Sequence, residues 1–265
     1  MIPSINFIKA HAYGNDFLYV LASDAGAAGR EDLSRRLCDR HTGIGADGVM
    51  FYTPTTDGAS MELFNADGSR SEVSGNGVRG LAAILLRSDA VLDRRVVIQT
   101  AAGPKTLTRT AREGSRQSFV ASMGLPRDLR QVAAVAAGES LQLCVMDFGN
   151  PQCVVLGPLP DEARFARLGP ALERHELFPA RTNVEFALVE RPDVVRILIW
   201  ERGVGPTMSS GTGSCAALIA SAAFGGAARD AEVVAPGGRQ RVEWRDDAVY
   251  LTGWAEVVCD GRWVA

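Results

Sequence analysis

Apolar and polar positions alternate along most of this chain, and the alternation predicts strands more often than helices. INFIKAH (5–11) and DFLYVLAS (16–23) read as two strands around a turn at Tyr13-Gly14-Asn15. EDLSRRLCDRH (31–41) has the 3.6-residue period of a helix, with Leu33, Leu37 and Cys38 on one face. GADGVMFYTP (45–54) and SMELFNADG (60–68) form a strand pair closed by polar turns, and a helix follows Ser74. VVIQTAAG, KTLTRTA and SFVASMG continue the strands to a break near Met123-Gly124-Leu125-Pro126.

The plan then starts again. LQLCVMDFGNPQCVVLG (141–157) gives two strands around Gly149-Asn150-Pro151, and ARFARLGPALERHE (163–176) is helical, with Pro170 near the start of a second segment. NVEFALVE and VVRILIWERG are strands, and a second Ala-rich helix opens after Ser210. AEVVAPGG, RQRVEWRD and AVYLTGWAEVVCDG close the chain as short strands. Hairpin-like connections outnumber strand–helix alternations, which argues against a doubly wound parallel sheet. The pattern predicts two similar halves, each rich in strands and each holding one helix introduced by S-G-x-G.

Composition narrows the picture slightly. The 265 residues suffice for two domains, and 46% apolar with 22% charged residues is ordinary for a globular protein. A net charge of −3 gives no basic field for nucleic acid. No apolar run is long enough for a membrane span and no leader peptide is visible, so the expected compartment is the cytoplasm. The five cysteines are scattered without a C-x-x-C, and the three histidines lack ligand spacing, so neither disulfides nor a metal is expected.

The two helix starts carry the candidate chemistry. Gly75-Asn76-Gly77-Val78-Arg79-Gly80 spells the dinucleotide fingerprint, and Gly211-x-Gly213-x-x-Ala216 nearly repeats it. A dinucleotide site needs a buried parallel strand directly before the glycines, whereas polar loops precede both. What remains is two helix ends with unpaired N–H groups, suited to an anion such as a carboxylate. The residues just ahead of them, Ser74 and Ser210, would then flank the carbon beside that carboxylate. Proton removal on one face and return on the other needs an acid/base pair there, a task that suits thiols better than serines.

These residues, with KAHAYGNDF (9–17), DRHTGIGADGV (39–49), FNADGS (64–69), FGNPQCV (148–154), RTNVEF (181–186), WERGVGPT (200–207) and APGG (235–238), closely resemble the diaminopimelate epimerase family nearly end to end. The resemblance implies an α/β (α+β) fold of two similar domains related by pseudo-twofold symmetry, each a mostly antiparallel or mixed sheet wrapped around a central helix. It places the domains at 1–117 plus 256–265 and at 118–255, with the active site in the cleft between them. It implies an isomerase that interconverts LL- and meso-diaminopimelate by two-base proton transfer without a cofactor, on the route to lysine and peptidoglycan. It also implies a small amino-acid ligand and allows a homodimer.

By the same resemblance, Gly75, Asn76, Gly211 and Thr212 would hold the carboxylate at the reacting centre, and Asn15 and Asn65 would line the pocket. Asn150, Asn183 and Arg202 would hold the distal carboxylate, and Glu201 would face an ammonium group. The chain departs from the family at its centre. The two catalytic cysteines fall on Ser74 and Ser210, the His after Asn-Pro is Gln152, the usual Glu before Thr207 is Pro206, and a Cys near the first helix start is Gly80. Three readings of the serines stay open: introduced Cys→Ser changes in an epimerase, a natural Ser/Ser homologue acting on another amino acid, and a non-catalytic amino-acid binder.

Overall fold

A computed structural model describes residues 4–25 and 29–264. Residues 1–3 and 265, assigned above to the first domain, lie outside the described residues. The chain divides into two compact units, Met1–Ala121 with Gly253–Ala265, and Ser122–Thr252.

In the first unit, β1 (Ser4–Ala12) and β2 (Asn15–Leu21) form a hairpin. α1 (Ala22–Ala25) and α2 (Arg30–Cys38) lead to β3 (Gly48–Thr55), which lies parallel to β2. β4 (Gly58–Asn65) returns antiparallel, and the short β5 (Arg70–Ser71) pairs with it. α3 (Gly75–Leu85) carries the chain to β6 (Arg95–Thr100), parallel to β4. β7 (Gly103–Glu113) and β8 (Arg116–Gly124) follow antiparallel.

The second unit opens with β9 (Arg127–Ala136), paired antiparallel with β10 (Glu139–Asp147). The earlier order then recurs. β10 and β11 (Pro151–Leu156) form a hairpin, α4 (Glu162–Glu173) crosses over, and β12 (Asn183–Arg191) lies parallel to β11. β13 (Val194–Glu201) and the short β14 (Gly205–Thr207) pair in turn. After α5 (Gly211–Phe224), β15 (Asp230–Ala235) lies parallel to β13, and β16 (Gly238–Trp244) follows antiparallel. β17 (Val249–Val264) pairs with β16 through Val249–Thr252 and with β1 through Glu256–Val264. The two series match step for step, parallel pairings included, so the repeat read from the sequence is a repeat of topology.

Each unit is organised around a largely buried helix. α3 is buried from Gly75 to Ile84, the polar Asn76 and Arg79 included, and the apolar α5 from Gly211 to Ser221. α3 touches β1 and β2 at one end of its strand order and β6 and β7 at the other, so the sheet curves around it. α5 does the same with β11, β12 and β13 on one side and β15 and β16 on the other. The fold is the strand-rich α+β fold expected.

Four details differ from the sequence reading. β9, RDLRQVAAVA, was not foreseen: it is largely exposed, so selection for a clean apolar alternation is weak. The short β5 and β14 are likewise beyond the pattern. α4 is one helix through Pro170, capped by the Asp161 carboxylate accepting from Arg164 N–H at 2.8 Å. Pro170 lies in its last turn, where its missing N–H costs one bond. Finally, AVYLTGWAEVVCDG is not a short strand but most of the 16-residue β17. No helix among the described residues is long and apolar enough to cross a membrane.

Candidate active site

Both candidate acid/base positions are helix N-caps with nearly the same backbone. Ser74 has φ −126° and ψ 123°, and Ser210 has φ −136° and ψ 131°. Ser74 Oγ accepts from Gly77 N–H at 3.1 Å, and Ser210 Oγ accepts from Gly213 N–H at 3.2 Å. An extended residue whose side-chain oxygen takes the N–H three residues on is what starts a helix cleanly. The residues that open the helices, Gly75 and Asn76 in one and Gly211 and Thr212 in the other, therefore present first-turn N–H groups that have no intrahelical acceptor. The positive end of each helix dipole coincides with them.

In the first unit a chain of side-chain bonds fixes the amides. Arg79, fully buried on α3, donates to Asn76 Oδ1 at 2.7 Å. Asn76 Nδ2 donates to Asn15 Oδ1 at 3.1 Å, and Asn15 Nδ2 donates to Asp47 Oδ2 at 2.7 Å. Arg40 spans Asp47 at 2.9 Å and Asp16 at 2.8 Å, and Lys9 reaches Asp16 at 2.9 Å. Burial by itself would raise the Asp16 carboxyl; the hydrogen bonds from Arg40 and Lys9 outweigh it and hold the group below its ordinary range. The chain has one polarity, so each amide can be oriented in only one way. Asn65 sits at the end of β4 with Nδ2 on Ser69 Oγ at 3.0 Å, and the next residue's N–H donates to Asp47 O at 3.0 Å. The structure thus gathers Asn15, Asn65 and Asn76 around Asp47.

Beneath α3, the Tyr19 hydroxyl donates to Gly77 O at 2.8 Å. A Cβ at Gly80 would stand 2.0 Å from that hydroxyl oxygen, so Tyr19 occupies the space a side chain at position 80 would need. Burial raises the phenol and keeps it a donor.

In the second unit, Asn183 begins β12 with Oδ1 accepting from Arg202 N–H at 2.9 Å and Nδ2 directed to Pro151 O at 3.4 Å. Asn183 is in register with Gln152, which is fully buried and donates to Asn150 Oδ1 at 2.6 Å. Arg202 Nη1 lies 3.4 Å from Ala180 O. Buried Glu173 accepts from Trp200 Nε1 and Gly203 N–H, both at 3.0 Å, and so pins the turn that carries Glu201 and Arg202. Below Ser210, Gln240 Nε2 donates to Ser209 Oγ at 2.9 Å and to Ser214 Oγ at 3.3 Å, while Ser214 Oγ donates to Ser210 O at 2.7 Å. Asn150, Asn183, Arg202 and Glu201 therefore form one local group, and Ser210, Gly211 and Thr212 form another.

No cysteine takes over at the serines. Cys215 is buried inside α5, and Cys153 is buried in β11, where burial raises its thiol well above the ordinary range. Three residues that the sequence reading did not single out lie at the site: Asp47 and Arg79, which orient the asparagines, and Glu185, which lies against Gly213. Glu185 is 0% exposed, and neither carboxylate oxygen has a hydrogen-bond partner. A charged residue spaced inside a named motif was the available signal for all three.

The repeated fold with a buried helix per unit recurs in solved structures of amino-acid racemases and epimerases. A hydroxyproline epimerase from Agrobacterium vitis superposes with a TM-score of 0.71 at 18% identity, covering 98% of this chain and 91% of that one. A probable proline racemase from Agrobacterium radiobacter gives 0.76 at 19% identity, covering 98% and 93%. The fold class is the one that these racemase and epimerase structures share. Sequence makes the assignment finer. The diaminopimelate epimerase profile matches residues 7–127 and 144–258. The diaminopimelate epimerase of Desulforudis audaxviator is 41% identical over 285 aligned positions, covering 98% of this chain and 99% of the relative. That of Heliobacterium modesticaldum is 37% identical, covering 97% and 99%. The chain belongs to the diaminopimelate epimerase family.

Proposed function

We propose that this chain is a diaminopimelate epimerase scaffold in which Ser74 and Ser210 occupy the two acid/base positions. The observation that carries the reading is the pair of matching serine N-caps, each at the start of a largely buried helix. In this reading both helix starts act on one substrate. The first-turn N–H groups of Gly75, Asn76, Gly211 and Thr212 hold the carboxylate at the reacting carbon. Delocalising charge into that carboxylate is what makes the α-proton removable, and two positive helix ends favour the added charge. Asn15 and Asn65 line the pocket. Arg202, Asn183 and Asn150 take the distal carboxylate, for which a guanidinium and amides are the suitable donors. Glu201 takes an ammonium.

The step itself is a proton exchange. The side chain on one face removes the α-proton, and the side chain on the other returns one to the opposite face. A thiol at a helix start ionises near neutrality, from an ordinary value of about 8.5, whereas a serine hydroxyl does not. The serine form should therefore bind diaminopimelate and turn it over poorly. The test is α-proton exchange from LL-diaminopimelate in deuterated water under reducing conditions, beside a Ser74→Cys/Ser210→Cys protein. We expect exchange and formation of the meso isomer to rise by roughly a thousandfold or more in the cysteine form, about 4 kcal/mol of barrier. Calorimetry that finds no binding of either isomer to either protein would overturn the substrate assignment.

A second reading is a natural Ser/Ser protein acting on, or only binding, a related amino acid. Gln152 supports it, because its amide is fully buried and bonded to Asn150 in this unit. Tight binding with no exchange in the cysteine protein would favour that reading.

A further inference from the structure

Glu185 lies in the middle of β12, and its neighbours divide the strand between two faces. Val184 and Phe186 pack with Leu168 and Leu172 of α4. Glu185 points the other way, against α5. A Cβ at Gly213 would lie 2.6 Å from Glu185 Oε1 and 3.1 Å from Ser210 Cβ. The missing side chain at 213 therefore leaves one small space, with the Glu185 carboxyl on one side and the capping serine on the other.

The charged surroundings of this carboxyl are few. From β13, Glu201 stands two positions past Ile199, the residue in register with Glu185, so the two carboxylates are diagonal neighbours on one sheet face. From β11, Cys153 is the titratable neighbour. α5 contributes no ionisable group in its first two turns apart from the Cys215 thiol. Burial first, and Glu201 second, raise Glu185 well above the ordinary carboxyl range. The shift favours the neutral acid, and neither carboxyl oxygen has a hydrogen-bond partner. A buried acid of this kind is costly unless an anion appears beside it.

We propose that Glu185 is a positioning residue for the acid/base side chain at 210, its carboxylic acid donating a hydrogen bond to that side chain when the latter is anionic. The role rests on the assignment of position 210 above. Gly213 N–H is already one donor to the atom at 210, and the Glu185 O–H supplies a second from the buried side. The arrangement is that of a neutral acid kept in an apolar site to stabilise a neighbouring negative charge. No proton changes owner. The acid lends its hydrogen bond to the base form and loses that acceptor when position 210 is protonated again.

The test reads a thiol titration and needs no substrate. In the Ser210→Cys protein the thiolate absorbance is followed against pH, with the unsubstituted chain subtracted to remove Cys259 and the buried cysteines. The same titration is run with Glu185→Met, which fills the site but donates nothing, and with Glu185→Gln, which keeps a donor. Glu185→Leu is a second donor-free form should the thioether disturb packing. We expect the donor-free forms to raise the midpoint by about one pH unit, a tenfold loss of thiolate at fixed pH, and Glu185→Gln to restore most of it. A midpoint that stays put or falls in the donor-free forms overturns the proposal. If diaminopimelate fails to bind while the titration behaves as expected, it is the substrate assignment that falls, and the hydrogen bond stands.

Discussion

Serine 74, serine 210 and glutamate 185 show how much a residue's neighbours decide what it is. The serines were legible because Ser before G-x-G at a polar-to-apolar boundary is a helix-start signal. Glu185 was not. In a strand that alternates, a polar residue between Val184 and Phe186 reads as facing water, and only the packing of α5 over that face makes it buried. Asp47 and Arg79 were hidden for a similar reason, since their importance lies in a bond chain that joins residues 15, 47, 76 and 79 across distant parts of the sequence. Burial of Glu185 has a sign that can be checked. A carboxyl whose pKa is raised by folding binds its proton more tightly in the folded chain. Its contribution to stability is intact below the unfolded value of about 4.3 and is lost as pH rises towards the folded value. Glu185→Gln does not titrate, so it should match the parent near pH 4.5 and melt higher at pH 7.5, by about 2–4 °C for each kcal/mol regained. Equal melting differences at the two pH values would show that the carboxyl is ionised in the fold.

Helices and strands at the site fit because small residues admit particular side chains. α3 can lie against β2 only because Gly80 leaves room for the Tyr19 hydroxyl, which in turn holds Gly77 O in the first turn after the cap. Gly80→Ala should destabilise the protein by about 1–3 kcal/mol through overpacking. Tyr19→Phe in the same chain should recover part of that loss in urea denaturation, and no recovery would mean the clash lies elsewhere. The sequence exposed the regular elements well and the irregular ones poorly. β9 mixes Arg, Gln and Ala on an exposed strand, so it lacks the pattern that burial imposes. β17 runs unbroken through Gly253, although a glycine within a strand often marks a break; a Cβ at 253 would run into Arg79, which explains the glycine without any turn.

At the scale of the molecule, the ten-step order of the first series recurs in the second, and the twin S-G-x-G helices were the visible trace of it. The rest of the repeat was obscured because topology constrains which faces are apolar far more than which residues make them so. One asymmetry remains. The first series ends in β8 and passes to β9 through Gly124-Leu125-Pro126, where proline interrupts the ladder. The second runs through the same two roles as the single strand β17. Residues 256–264 of that strand are the partner of β1 on its side away from β2. A chain stopped after Thr252 should therefore keep protected amides in β10–β13 and lose them in β1 and β2 by hydrogen exchange. Protection retained in β1 would show that β17 is dispensable to it.

β17 also sets a timetable. During synthesis the second unit has all its strands once Thr252 has emerged, whereas β1, made well before it, waits for residues 256–264 to supply its neighbour. The first unit, begun before the second, is thus completed after it, and until then the edge of β1 is open to mispairing.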